Sequence, residues 1–401
     1  MVIAAERGAK EYLTKEYLAI AISLSQEFAQ TAAERDAKGG SPTQELDRLR
    51  DSGLLKLLIP TEYGGWGQTW STALQAVREL AKADGSLGQL LGYHYVNSVM
   101  PELYGTPEQK AHFYKETAQN NWYWGDAVNP RDPDLTLTPD GENFRLDGTK
   151  NFATGSVGSD ILVIAATRQD LGNVLFAAIP SHREGIKLND DWDYIGQRQT
   201  DSGSVTFDRV FIHKDEILGD ANATEHPAPF ATLVTPAIQA VFVNLYLGIA
   251  LGAFEAAKQY TLSTTRPWIF SPAETASQDP YILERYGDLW VSLISTNSHA
   301  DYVGTVLQAA WEKGEQLTAA ERGETAITIA TAKVLSTKVA LEVTSKIFEV
   351  TGTRAAATQH RFDRFWRNVR THTLHDPVFY KSYEVGNWVL NQQIPTFTLY
   401  T

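Results

Sequence analysis

The sequence predicts an α+β protein, mainly α, in three parts. These are a helical N-terminal domain (residues 1–122), a middle β-barrel or sandwich domain (123–225) and a C-terminal helical bundle domain (226–401). Three observations carry this prediction. The hydrophobic period is helical in the first third, shortens to strand length in the middle and returns to helical for the rest. A length of 401 residues asks for two to three domains at about 150 residues each. A composition that is 43% hydrophobic and 21% charged belongs to a folded globular chain.

Helix formers dominate Glu11–Glu34, and Gly39–Ser41 breaks the run. Thr43–Ser52 reads as a second helix, the Gly- and aromatic-rich stretch Pro60–Gly67 as a loop, and Ser71–Ala83 as an amphipathic helix. In the middle part, Pro139-Asp140-Gly141 signals a turn before a strand at Asn143–Leu146. Ile161–Thr167 and Val174–Ile179 are short apolar runs bounded by Gly, Asp and Pro, and Ser204–Phe207 and Val210–Ile212 complete the strands. Pro236–Phe254 is apolar but for Gln239 and Asn244, which sits at the lower edge of bilayer-spanning length. Its Gly248 and Gly252 suit a buried bundle helix with close neighbours, and that is the reading taken. Ile327, Ala330, Val334, Leu341 and Phe348 recur at near-heptad spacing and mark one face of a long helix.

A formal charge of −13 argues against nucleic acid and against anionic membrane as partners. The absence of cysteine excludes disulfides, thiolate metal sites and a cysteine nucleophile. Residues 1–40 lack a signal-peptide pattern, because the apolar stretch Tyr17–Ile22 is short and follows Glu11, Lys15 and Glu16. A soluble, cytoplasmic protein is expected. Phosphate-loop, zincin and hydrolase-elbow motifs are absent. His372 and His375 are spaced to chelate, yet nothing completes a ligand set, so no metal is expected. His94, between Tyr93 and Tyr95, reads on its own as a core or interface histidine. The 11% aromatic content is either core or the lining of a pocket for a flat ligand.

Five segments, in order and over nearly the whole chain, carry a resemblance. They are Ile59–Gly67, Ala83–His94, Gly148–Gly155, Asn189–Ser204 and Asp363–Pro377. Together they resemble the acyl-CoA dehydrogenase superfamily, and within it the flavin-dependent monooxygenase branch typified by dibenzothiophene monooxygenase. The resemblance implies a C-terminal four-helix bundle, a flavin between it and the β-domain, and a homotetramer.

The two chemistries of the superfamily ask for different residues. A dehydrogenase needs a carboxylate base, and the family's Glu-Gly-Thr is matched here by Asp376-Pro377-Val378. Asp is one methylene shorter than Glu, and a base misplaced by about 1 Å loses on the order of a hundredfold. The alternative base position is matched by Phe242, which takes no proton. A monooxygenase must keep a C4a-hydroperoxyflavin dry and hydrogen-bonded. For that task the resemblance implies His94 and His375 as peroxide stabilisers and proton relays, His372 beside them, and Thr154 at the flavin edge. Arg266 matches a flavin phosphate ligand, often across a subunit interface, and Asp126, Arg367 and Asn368 match further residues near the flavin. Asp126 departs from the pattern, which has asparagine there, and the loop Val128–Asp134 departs in length and composition. Tyr93, Phe152 and Trp192 are the implied pocket aromatics. Gly352-Thr353-Arg354-Ala355 retains one glycine of the loop that admits FAD pyrophosphate, which favours FMN over FAD. No dinucleotide-binding fingerprint is present, so a separate NAD(P)H:flavin reductase is expected to supply reduced FMN, with O2 as co-substrate. The expected reaction is oxygenation of a heteroatom, sulfur first, in a small or aromatic organosulfur substrate. Two readings stay open beside it: an acyl-CoA dehydrogenase using Asp376, and a flavin-fold protein that only binds.

Overall fold

The structure, a computed structural model, describes residues 2–132, 135–222 and 227–401, with side chains from Lys15 onward. Pro133 and Asp134 of the Val128–Asp134 loop lie outside the described residues. Helices come first: α1 (Val2–Ala29), α2 (Ala32–Lys38), α3 (Thr43–Ser52), α4 (Trp70–Ala83), α5 (Gly85–Ser98), α6 (Met100–Tyr104) and α7 (Pro107–Asn120). Local chemistry sets their ends. Asp84 closes α4 and caps α5 by accepting from the Ser86 N–H at 2.9 Å. Thr106 and Gln109 form a reciprocal capping box on α7, with Pro107 at its first turn.

The strands are β1 (Trp124–Ala127), β2 (Thr136–Asp140), β3 (Asn143–Lys150), β4 (Ile161–Arg168), β5 (Val174–Pro180), β6 (Ile186–Leu188) and β7 (Val205–Ile212). They form one curled seven-stranded sheet, in the place where the barrel or sandwich is expected. β5 runs antiparallel along β4, while β1 and β2 lie parallel to successive stretches of it. β3 pairs antiparallel with β2 and β7, and β6 pairs with β7. The two runs read as Ser204–Phe207 and Val210–Ile212 are one strand with a bulge. The register shifts opposite Leu146/Gly148, Arg209 takes φ 48, and its N–H is held by Asp147 Oδ1 at 2.9 Å. Pro139 and Asp140 end β2, and the turn itself falls at Gly141 and Glu142.

The chain ends in α8 (Val234–Ser263), α9 (Pro280–Trp311), α10 (Ala319–Thr351), α11 (Asp363–His372) and α12 (Val378–Asn391). α8, α9 and α10 pack on one another, and α12 lies along α10. α8 is the one helix among the described residues long and apolar enough to cross a bilayer, and 83% of its most apolar window is buried in the protein. Gly248 and Gly252 have the close neighbours expected of them. A Cβ at Gly248 would stand 2.5 Å from Arg78 O, and one at Gly252 1.9 Å from Lys82 O, so α4 lies against α8. The polar break Asn244 accepts from Arg78 Nε and Nη2 at 3.0 and 2.7 Å. In α10 the expected face drifts. Ile327 and Ala330 are buried, but Val334, Leu341 and Phe348 are only half-buried, and Ser336, Val343, Ile347 and Val350 form the buried row. A seven-residue step slips about 20° per repeat on a straight helix, which moves the face out of the core. The helices before and after the sheet share one hydrophobic core, while the sheet has its own around Leu146, Leu162, Ile164 and Ile179.

Candidate active site

A cavity of about 770 Å³ opens where α5, the end of β1, the loops at 152–154 and 192–202, the start of α8 and the α11–α12 corner meet. Tyr93, Asp126, Phe152, Thr154, Trp192, His372 and His375 all line it. The sequence therefore places seven of its site residues on one surface.

On the sheet side, hydroxyls form a chain. Thr154 Oγ1 lies 3.0 Å from Ser202 Oγ, which donates to Thr200 Oγ1 at 2.8 Å, and Thr200 donates to Gln197 O at 3.0 Å. Asp126 donates its N–H to Thr154 O at 3.1 Å, and its carboxyl group accepts from Asn97 Nδ2 at 3.3 Å. No cation pairs with that carboxyl among the described residues. Burial pushes it up to about 7, against the weaker pull of Asn97 and the Thr154 backbone. Burial also raises the buried Tyr93 phenol above its ordinary range, with Asp126 adding to the effect. At the mouth, Trp192 stacks on Tyr194 with ring centroids 4.0 Å apart, and Phe152 stands edge-on to Trp192 at 6.1 Å.

The opposite wall carries the histidine pair. α11 ends at His372, and one turn later His375 stacks on it at 5.8 Å and 10°. Phe242 of α8 supports both rings at 4.6 and 4.9 Å. His372 Nδ1 lies 2.9 Å from Tyr246 OH, and its Nε2 is buried without a partner among the described residues. Burial, helped by His375 and Lys333, holds His372 well below the usual imidazole range, so it is neutral. His375 Nδ1 lies 3.1 Å from Asp376 Oδ1. Asp376 also accepts from Lys333 Nζ at 2.5 Å with both oxygens and is absent from the cavity lining. Burial works to raise its pKa, but the His375 hydrogen bond and the Lys333 ammonium outweigh it and hold the group well below the carboxylate range.

Four expected residues stand elsewhere. His94 faces away from the cavity and is fully buried. Its Nε2 donates to Leu55 O at 2.6 Å and its Nδ1 accepts the Trp124 N–H at 3.2 Å, while burial lowers it to about 4. Both nitrogens are spent on backbone, so the peroxide-stabilising role expected of His94 has no free atom to carry it. Arg367 is spent on Asp36 (3.2 and 2.5 Å), Asp363 (2.7 Å) and Ile195 O (2.5 Å). Asn368 Oδ1 accepts the Gln197 N–H at 2.7 Å and so anchors the cavity loop without lining the cavity. Arg266 is exposed on the loop after α8, outside the cavity of its own chain.

The lining also contains residues that sequence reasoning passed over: Gln89, Asn97, Gln197, Ser202, Arg370 and Thr371. Gln197 and Ser202 fall inside the segment Asn189–Ser204, but a glutamine or serine carries no spacing signature of its own. Gln89 Oε1, both side-chain atoms of Gln197, Arg370 Nε, Thr371 Oγ1 and His372 Nε2 are buried with no partner among the described residues. Buried polar atoms are nearly always paired. A wall carrying this many unpaired ones fits a ligand with several polar edges, and the volume falls in the usual range for a cofactor site. A flavin mononucleotide, flat and polar along one ring, suits it.

Residues 20–121 match the acyl-CoA dehydrogenase N-terminal domain and residues 240–378 the acyl-CoA dehydrogenase C-terminal domain. The chain is 45% identical over 397 residues to dibenzothiophene monooxygenase of Rhodococcus erythropolis, covering 95% of each chain. The chain belongs to the acyl-CoA dehydrogenase family, in its flavin-dependent monooxygenase branch. It is also 45% identical to a probable FMNH2-dependent monooxygenase, SfnC, of Pseudomonas putida, covering 96% of this chain and 97% of that one. The solved structure of methanesulfinate monooxygenase MsuC from Pseudomonas fluorescens superposes with a TM-score of 0.93 at 46% identity, over 96% of this chain and 99% of that one. A dehydrogenase of the acyl-CoA dehydrogenase family needs a carboxylate free to take a proton. Here Asp376 is tied to Lys333 and His375, which removes the base that reading relied on.

Proposed function

We propose that this protein is the oxygenase of a two-component system. It takes reduced FMN from a separate NAD(P)H-dependent flavin reductase and uses O2 to oxygenate the sulfur of a small or aromatic organosulfur compound. The observation that carries the reading is the stacked His372–His375 pair, with its unpartnered Nε2, facing the same cavity as the Thr154–Ser202 hydroxyls. Reduced FMN, when bound, supplies the electrons that activate O2. Thr154, Asp126, Gln89 through its unpaired Oε1 and the unpaired amide of Gln197 are the groups that would hold its ring. The neutral His372, steadied by Tyr246, and His375, steadied by Asp376, hold and pass protons at their ring nitrogens. Val96, Met100, Phe176 and Ile238 line the same cavity and exclude water. Phe152, Trp192 and Tyr194 give the mouth flat apolar faces for the substrate. A homotetramer is part of the proposal. Arg266 is followed by Trp268, Ile269 and Phe270, which are 71%, 80% and 84% exposed, and this supports a subunit contact that carries Arg266 to a neighbour's cofactor.

The test supplies chemically reduced FMN and heavy-isotope O2, with dibenzothiophene in one arm and a small dialkyl sulfide in the other. A sulfoxide carrying one heavy oxygen atom is expected in at least one arm. Release of hydrogen peroxide alone, together with anaerobic bleaching of bound flavin by an acyl-CoA, sinks the proposal. Replacing His375 with Ala should lower product formed per O2 consumed by at least about tenfold, in keeping with the loss of a proton-transfer group. An unchanged ratio removes His375 from the chemistry.

A further inference from the structure

Gln197 combines three features that no hydrogen bond within the protein explains. Its side chain is 1% exposed, lines the cavity and has neither Oε1 nor Nε2 paired among the described residues. Its backbone is left-handed, with φ 53, a conformation an L-residue adopts at a cost. That backbone is nevertheless pinned at both ends. The N–H donates to Asn368 Oδ1 at 2.7 Å, and the carbonyl accepts from Trp192 Nε1 at 2.7 Å and Thr200 Oγ1 at 3.0 Å. The neighbouring Gly196 lies so close to α11 that a Cβ there would stand 2.1 Å from Arg367 O. The protein thus fixes the position of an amide in the cavity wall while leaving both of its polar atoms without a protein partner among the described residues. Arg367 and Asn368 acquire a place in the site through this loop, as positioning residues.

A primary amide offers a donor and an acceptor side by side in one plane. Its complement is a ring edge with a carbonyl beside an N–H, the geometry by which Gln and Asn read base edges bidentately. We propose that the Gln197 amide recognises an imide edge on the ligand of this cavity, with Nε2–H donating to the ring carbonyl and Oε1 accepting from the ring N–H. This rests on the flavin reading above, in which that edge belongs to the pyrimidinedione ring of FMN. An organosulfur substrate of the proposed class has no such edge. Gln197 is therefore assigned to the cofactor and not to the substrate.

The test is anaerobic calorimetric titration of the full-length protein with reduced FMN and with reduced 3-methyl-FMN, whose imide N–H is blocked. Wild-type protein should bind FMN about tenfold more tightly than the methylated form, and Gln197→Leu should bind FMN about tenfold more weakly than wild type. The variant should also bind the two flavins alike. Its thermal midpoint should match or exceed that of wild type, because the lost amide has no protein partner. Equal binding of the two flavins by wild type overturns the proposal, and this arm decides the matter even if the variant fails to fold. A variant that still prefers FMN as wild type does also overturns it. Wild-type protein that binds neither flavin overturns the flavin reading itself, an outcome distinct from binding both equally.

Discussion

Asp126 is a carboxyl group in a pocket wall with an amide for its partner and no cation in contact with it among the described residues. Burial raises it to about 7 in the folded protein, whereas in the unfolded chain it titrates near the ordinary carboxylate value of about 3.9. The folded state therefore holds a proton that the unfolded state has released between those two values. Stability contributed by this residue falls as pH rises through that window and levels off above about 7. Asp126→Asn keeps the shape and the Asn97 contact but removes the titration. The variant should lose the decline in thermal midpoint that wild type shows from pH 5 to pH 7.5, and parallel profiles for the two proteins would refute this account. The same residue-scale logic separates Tyr93 from His94. Consecutive side chains on a helix point about 100° apart, so one of them reaches the cavity and the other is delivered to the backbone of Leu55 and Trp124. The sequence names both as neighbours, and only the rotation of α5 decides between them.

At the scale of elements, the Lys333–Asp376 pair joins the middle of α10 to the corner after α11. Both side chains are buried, at 2% and 7% exposure. Lys333→Met leaves the buried Asp376 carboxylate without its ammonium partner and should cost about 3–5 kcal/mol in urea unfolding. Lys333→Met combined with Asp376→Leu should recover most of that loss. If the single variant is as stable as wild type, the pair does not hold α11 in place. How far elements are legible in the sequence depends on the signal each leaves. α3 announces itself by a helical pattern that stops at Gly53, and β4 by an apolar run between breakers. β1 does not, because Trp124–Ala127 is buried on both faces and shows no alternation. β6 is three residues long, too short to show any period. β7 is read as two strands because its bulge at Asp208 and Arg209 places charge where continuity was expected. The cavity aromatics and the histidine pair come from matched segments, whereas the pinning of Gln197 depends on α11, which is remote in sequence.

At the scale of the whole molecule, apolar surface remains that the single chain does not cover. Along α9, Trp290, Val291, Ile294 and Tyr302 are 49%, 63%, 45% and 55% exposed, and on α12 Tyr383 and Leu390 are 69% and 82% exposed. Patches of this kind mark association surfaces in a folded protein, and closed symmetric assemblies are the usual outcome. Sedimentation should find four chains together, and Trp290→Glu with Ile294→Glu should yield smaller species with an unchanged thermal midpoint. A tetramer undisturbed by both changes would place the interface elsewhere. The shared helical core has a consequence for synthesis. α4 and α5 bury their apolar faces against α8, yet the chain between them encodes the whole sheet. At about 5–20 residues per second, the first helices emerge from the ribosome roughly 10–40 s before their partner. During that interval the sheet can close around its own core, while α4 and α5 wait with greasy faces showing, the natural clients of a chaperone that holds chains until the remainder arrives.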